Sequence, residues 1–174
     1  MSALEYTPTN QNFLNPLNFV FRVTRAPHIN FFIQRINLPS LSFDYAEQGN
    51  PFTSIPIQGD HIHFGNLDIT FKVDEDLQNW FEVHNWIRSL GFPDNFTEFA
   101  QIKSNTPTSG AGITADLTLI ILNAVKLPIY EVEFWNAFPI SLSELTFDST
   151  EESVNYITAT ASFRYIYYTV NKIV

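Results

Sequence analysis

The sequence predicts a mainly β fold, an antiparallel β-sandwich or barrel with one flanking α-helix, and three observations predict it. Apolar and polar residues alternate with a period of two in several short segments, the pattern of half-buried strands. Aromatic residues make up 16% of the chain, with 17 Phe and 7 Tyr, and such side chains suit a pleated surface with one buried face. Apolar spacing of three and four residues, the mark of a helix, is convincing in one segment only. At 174 residues the chain is expected to form one domain, residues 1–174, with a core of its own.

Each element follows in order. Residues 1–15 are polar and rich in Asn and Pro, and are expected to form a loose N-terminal arm. Asn18 to Val23 is the first strand, Arg25-Ala26-Pro27-His28 a turn, and Phe31 to Leu38 the second strand, closed by Pro39. Residues 40–58 hold Asp44, Gly49, Asn50, Pro51 and Pro56. These turn and breaker residues predict a long extended loop or β-arm, and a segment of that kind in a small domain is usually functional. Leu67, Ile69, Phe71 and Val73 alternate with Asp68, Thr70 and Lys72, a half-buried strand. Asp74-Glu75-Asp76 then supplies acidic residues where a helix dipole favours them. Leu77, Trp80, Phe81, His84, Ile87 and Leu90 form the apolar stripe of the single helix, with Gly91 just past its end.

Residues 103–115 are small and polar and predict a loop. Asp116 to Asn123, Ile129 to Trp135 and Ser141 to Phe147 are three further strands, with a turn at Phe138-Pro139 and a polar turn at Asp148–Ser153. Val154 to Val170 predicts one long closing strand with Ile157, Ala159, Ala161, Phe163, Tyr165 and Tyr167 on one face. Fully extended it would exceed roughly 50 Å, longer than the core of an isolated domain can use. Such a strand suits a barrel wall shared between subunits.

Composition narrows the function classes. The formal net charge is −9, so the chain repels a phosphate backbone rather than neutralising it, which argues against nucleic-acid recognition. Only 16% of residues are charged, against about 25% in ordinary domains, as expected of a surface covered by partners. With no cysteine, disulfides, thiolate metal sites and cysteine nucleophiles are ruled out. No apolar run approaches the ~18 residues of a membrane span, and residues 1–8 lack the basic start and apolar stretch of a signal peptide. The chain is therefore expected to be soluble and made in a cytosol.

Catalytic patterns are weak. His61-Ile62-His63 places two imidazoles on one face of a strand, where Asp60, Asp68 or Glu82 would add a carboxylate. Such a pair alone is a weak metal signal, and two polar side chains facing solvent explain it equally. Glu131 and Glu133 share a strand face rather than opposing each other across a cleft as glycosidase carboxylates do. No nucleophile elbow or phosphate-binding loop is present. Trp80, Trp86 and Trp135 read as core or interface anchors. The expectation is no enzyme and no cofactor. A small-ligand or metal-binding barrel and a carbohydrate-binding sandwich remain as alternatives.

Four stretches, taken in order, resemble the tail tube family of contractile-tailed phages, the group that also holds the Hcp proteins of type VI secretion. They are Asn15–Val23; Ile36-Asn37-Leu38-Pro39 before the long loop; Ile57-Gln58-Gly59-Asp60 with Leu67–Phe71 and the Asp74–Ile87 helix start; and Asn136–Leu145 ahead of the closing strand. The resemblance spans roughly residues 15–170 and rests on order and spacing. It implies six copies in a ring, long strands lining a continuous β-barrel lumen, and rings stacked into the inner tail tube of a virion assembled in the host cytoplasm. The loop at 40–58 would touch the next ring through Asp44, Tyr45, Asn50, Pro51 and Phe52. The implied partners are further copies of the chain, the tail sheath protein, the baseplate tube initiator and the tape-measure protein. DNA would pass through the lumen unbound, with no membrane involved. The initiator or hub of the baseplate, which shares the fold, is the alternative role.

Overall fold

The computed structural model describes residues 12–91, 113–150 and 155–173. Its first element is strand β1 (Phe19–Val23), followed by helix α1 (Pro27–Phe32) and strand β2 (Ile33–Ile36). A hairpin of β3 (Leu41–Gly49) and β4 (Ser54–Phe64) leads to β5 (Leu67–Lys72) and helix α2 (Gln78–Gly91). Then come β6 (Ala115–Leu122), β7 (Pro128–Leu142), β8 (Thr158–Arg164) and β9 (Tyr167–Lys172).

All pairings are antiparallel, and the strands follow the order β1-β6-β7-β8-β5-β2 with β9 also on β7. The first half of β7 lies between β6 and β9, and its end pairs with β8. One strand therefore belongs to two sheets, β1-β6-β7-β9 and β7-β8-β5-β2, which is how a sandwich corner is turned. The corner residue is Asn136, whose φ of 53° lies in the left-handed region that Asn tolerates. Its backbone N–H donates to Asp116 Oδ1 at 3.0 Å, and its Oδ1 accepts from Thr114 at 3.1 Å.

The core sits between the two sheets. Leu67, Ile69 and Phe71 on β5 are buried opposite Phe163, Ala161 and Ala159 on β8, so Ile69 and Phe71 face small alanines while Leu67 meets Phe163. Trp86 of α2 packs on this inner face, its ring centre 5.9 Å from that of Phe163. Phe21, Val23, Leu117, Leu119, Val132 and Phe134 supply the first sheet's buried side. Outward, β5 and β8 pair polar residues: Ser162 Oγ donates to Asp68 Oδ1 at 2.6 Å, and the Thr70 and Thr160 hydroxyls lie 3.2 Å apart.

Several expectations need correction. The predicted turn at Arg25–His28 and the first part of the strand at Phe31 to Leu38 are a short helix, with Pro27 at its start and Ile29 buried. Asn30 Oδ1 accepts the Val23 N–H at 2.7 Å and so ties that helix to β1. There are thus two helices rather than one among the described residues. Phe138-Pro139 is no turn, because β7 runs through it. Proline is tolerated there because, among the described residues, β7 from Phe138 onward pairs with β8 alone, which leaves it an open edge. Only Ser141 and Leu142 of the strand expected at Ser141 to Phe147 are in β7.

The long closing strand is two strands in two sheets, broken at Tyr165-Ile166. Period two carries Ala159, Ala161, Phe163 and Tyr165 inward and ends there. Beyond the break the phase shifts: Tyr168 packs on Phe64 and Phe134, while Tyr167 turns outward onto Trp135. A seven-residue β8 spans only about 23 Å, so strand length no longer argues for a shared barrel wall. In α2 the acidic run precedes the helix, and its first turn holds no acidic residue. Asn79 fastens that end instead, donating to the Lys72 carbonyl at 2.8 Å. The fully buried line is Asn79, Val83, Trp86 and Ser89, and beside it Trp80, Ile87 and Leu90 of the predicted stripe pack against the core partly buried. The expected N-terminal arm up to residue 11, and residues 103–112 of the expected loop, lie outside the described residues.

Candidate assembly interface

The β3–β4 hairpin stands off the sandwich. Every residue of β3 is exposed, as is all of β4 except Gly59 and Phe64. Of the two forms expected for residues 40–58, the β-arm is the one observed. Its tip is a tight turn, with Asn50 N–H donating to the Thr53 carbonyl at 3.1 Å. Phe52 at that tip is 95% exposed. Asp44 and Tyr45 lie on β3, and Asn50, Pro51 and Phe52 at the tip, so the five residues expected to make contacts share one arm.

A bulge divides the arm. Phe43 pairs with Ile62 and Tyr45 with Gln58, so Asp44 alone faces Gly59, Asp60 and His61. The backbone of Asp44 approaches so closely that a Cβ on residue 59 would lie 2.6 Å from its carbonyl oxygen, which is why glycine is needed there. The bulge changes which side is apolar. Below it Leu41, Phe43, Ile62 and Phe64 share one face; above it Ala46, Ile55 and Ile57 share the other. Phe43, Ile55 and Ile62 were not expected from sequence to be contacts, nor was Ile57 beyond its place in the resembling stretch, although Ile55 and Ile57 alternate with polar or turn residues. The breaker residues around them hid that signal.

The two histidines do not converge on one site. His63 Nε2 lies 2.8 Å from Asp44 Oδ2, and His61 Nδ1 lies 2.6 Å from Asp60 Oδ1. Asp68 bonds Ser162 and Glu82 bonds His28, so neither reaches them. Among the described residues no group of three or more metal-ligating side chains is found. His28 Nδ1 and Glu82 Oε1, 2.5 Å apart, join α1 to α2. The hydrogen bond and charge of Glu82 raise the His28 pKa above the usual imidazole value.

The sheets leave open edges. Among the described residues β1 pairs only with β6, and β2 only with β5. Between these two edges lies a groove of about 390 Å³, lined by Leu17, Phe19, Val20, Phe31, Ile33 and Gln34 among others. Trp135, predicted as an anchor, is 37% exposed and stacks on Tyr167 at the β7–β9 edge. Glu131 and Glu133 sit on β7 opposite Asn171 and Thr169, on the outward side of the first sheet.

Known proteins share this architecture. The tail tube terminator protein of Enterobacteria phage T4 is 26% identical over 168 residues, covering 92% of this chain and 90% of that protein. The anti-feeding prophage cap, a tube-terminating cap solved by cryo-EM, superposes with a TM-score of 0.61 at 13% identity and covers 99% of both chains. A chain of the sheath–tube complex of the extracellular contractile injection system PVC gives a TM-score of 0.56 at 16% identity, again over 99% of both. The model of the family described as phage tail tube protein matches residues 7–171, nearly the whole sequence, and the chain belongs to that family.

Proposed function

We propose that this chain is a non-enzymatic ring subunit of the tube inside a contractile tail. Six copies close into a ring coaxial with the tube, inside the sheath, and DNA passes through the lumen during ejection without specific binding. The observation that carries the reading is the hairpin: an arm with apolar side chains on opposite faces above and below its bulge has no use in an isolated globule. Asp44, Tyr45, Asn50, Pro51 and Phe52 are its contact residues in the assembly. Among the described residues β1, β2 and β9 each pair on one side only, which fits the same reading, because an uncovered edge invites aggregation unless a neighbour completes it.

The ring's place is proposed as the end of the tube. Likeness to the T4 terminator over nearly the full length, and to the prophage cap, supports this. The second reading is the repeating tube subunit, favoured by the family description; there the arm reaches the next identical ring, and tape-measure protein and baseplate initiator are further partners. Negative-stain microscopy of purified protein tests both. Sixfold rings that remain single at high concentration support the terminal reading, and spontaneous long tubes support the repeating one. Monomers at every salt concentration would reject the ring.

A further inference from the structure

We propose that the β3–β4 hairpin of one copy docks in the groove between β1 and β2 of a second copy of this chain. The inference rests on the ring reading and adds the identity of the surface that receives the arm.

Three observations select that occupant. First, the charges are complementary. From residue 36 to residue 71 there is no Lys or Arg, and the hairpin carries Asp44, Glu47 and Asp60 on exposed positions. Arg22 follows Phe21 on β1 and Arg35 follows Gln34 on β2, so two exposed arginines flank the groove. Second, the groove mixes polar and apolar lining as the arm does: Leu17, Phe19, Val20, Phe31 and Ile33 face the space beside Asn30 and Gln34, and the arm offers Phe52, Ile55 and Ile57 beside its polar residues. Third, both walls of the groove are unpaired strand edges among the described residues. An incoming strand would satisfy their backbone groups while its side chains fill the space between them. Donor and receiver are different surfaces of one molecule, the heterologous arrangement from which rings are built.

The absence of cysteine makes the test clean. Full-length Ser54→Cys (arm) and Gln34→Cys (groove) variants are mixed in equal amounts and treated with a short bismaleimide. The expected result is a cross-linked pair containing one of each variant, with far less product from either alone. Reversing the groove with Arg22→Glu and Arg35→Glu should lower the yield about tenfold. An arm carrying Glu47→Lys and Asp60→Lys should restore it. Sixfold rings by microscopy without the mixed cross-link would overturn this inference and leave the ring reading standing. Absence of both rings and cross-link would overturn both. A Gln34→Cys thiol that resists labelling in the monomer would show the groove to be covered by its own chain, and would also overturn the docking.

Discussion

Replacing Ala161 with aspartate places a carboxylate between Ile69 of β5 and Leu142 of β7, at a position with no solvent exposure. A free aspartate titrates near 3.9, so keeping it neutral at pH 7 takes about three pKa units, or roughly 4 kcal/mol. The neutral carboxyl still lacks a partner on this apolar face, which costs about 1–3 kcal/mol. Its extra volume, set against Ile69 and Leu142, adds about 1–3 kcal/mol. The total, about 6 kcal/mol or more, is comparable to the whole stability of an ordinary domain, about 5–15 kcal/mol. The sign with pH is informative. Folding raises this carboxyl's pKa, so the penalty relative to the parent shrinks by about 1.4 kcal/mol for each pH unit between 7 and 4. Urea unfolding of both proteins at pH 5, 6 and 7 measures it, with Ala161→Ser as the milder control. An Ala161→Asp protein as stable as its parent at pH 7, or a difference that does not change with pH, would refute the burial of β8's inner face.

Further predictions concern the arm, the helices and the break in the closing strand. Gly59→Ala forces a methyl against the Asp44 carbonyl; thermal melting should hardly change, because the arm lies outside the core, while ring formation weakens, and normal rings would contradict the role given to the bulge. Replacing residues 46–57 with Asn-Gly leaves Tyr45 and Gln58 as paired ends of a two-residue turn; the product should give the parent's circular dichroism spectrum and form no rings. His28→Ala removes a pair whose folded pKa is raised. Its stabilisation is complete below the unfolded value and lost as pH rises through the folded one, so the parent's advantage in melting temperature should be larger at pH 5.5 than at 8.5. Tyr165 is held neutral by burial, which pushes its pKa up to about 12, and its hydroxyl donates to the Gly65 carbonyl at 3.0 Å. Tyr165→Phe should cost about 1 kcal/mol, and alkaline ultraviolet titration should lose the phenol that ionises last; since the raised pKa stabilises the fold below about pH 10, that contribution falls as pH climbs towards 12.

The residues that could be read in sequence are those whose pattern is set locally. Leu67, Ile69 and Phe71, and Ala159, Ala161 and Phe163, alternate without interruption because each strand has one face on the core and one outside. What could not be read depends on tertiary events. Pro139 looks like a breaker, and only the passage of β7 from one sheet to the next gives it an open edge. Tyr165, Tyr167 and Tyr168 look like one continuous strand until the corner inverts their phase. Helix α1 is too short for periodicity to show, and it is held by Asn30 reaching back to Val23 rather than by a capping residue in its own segment. In the candidate interface, Asp44, Gly49, Asn50, Pro51 and Pro56 marked the arm through turn chemistry, while Tyr45 and Phe52 entered only through the resemblance. The apolar pairs of the arm and the groove between β1 and β2 were not legible, because a groove is made by strands far apart in the pairing order.

The ring is the centre of the account, and the mass of purified full-length protein at micromolar concentration, measured by light scattering in line with size exclusion, tests it most directly. The account predicts a species of six chain masses that averages to a sixfold disc by electron microscopy. A stable particle of one chain mass that persists across salt and concentration would contradict it.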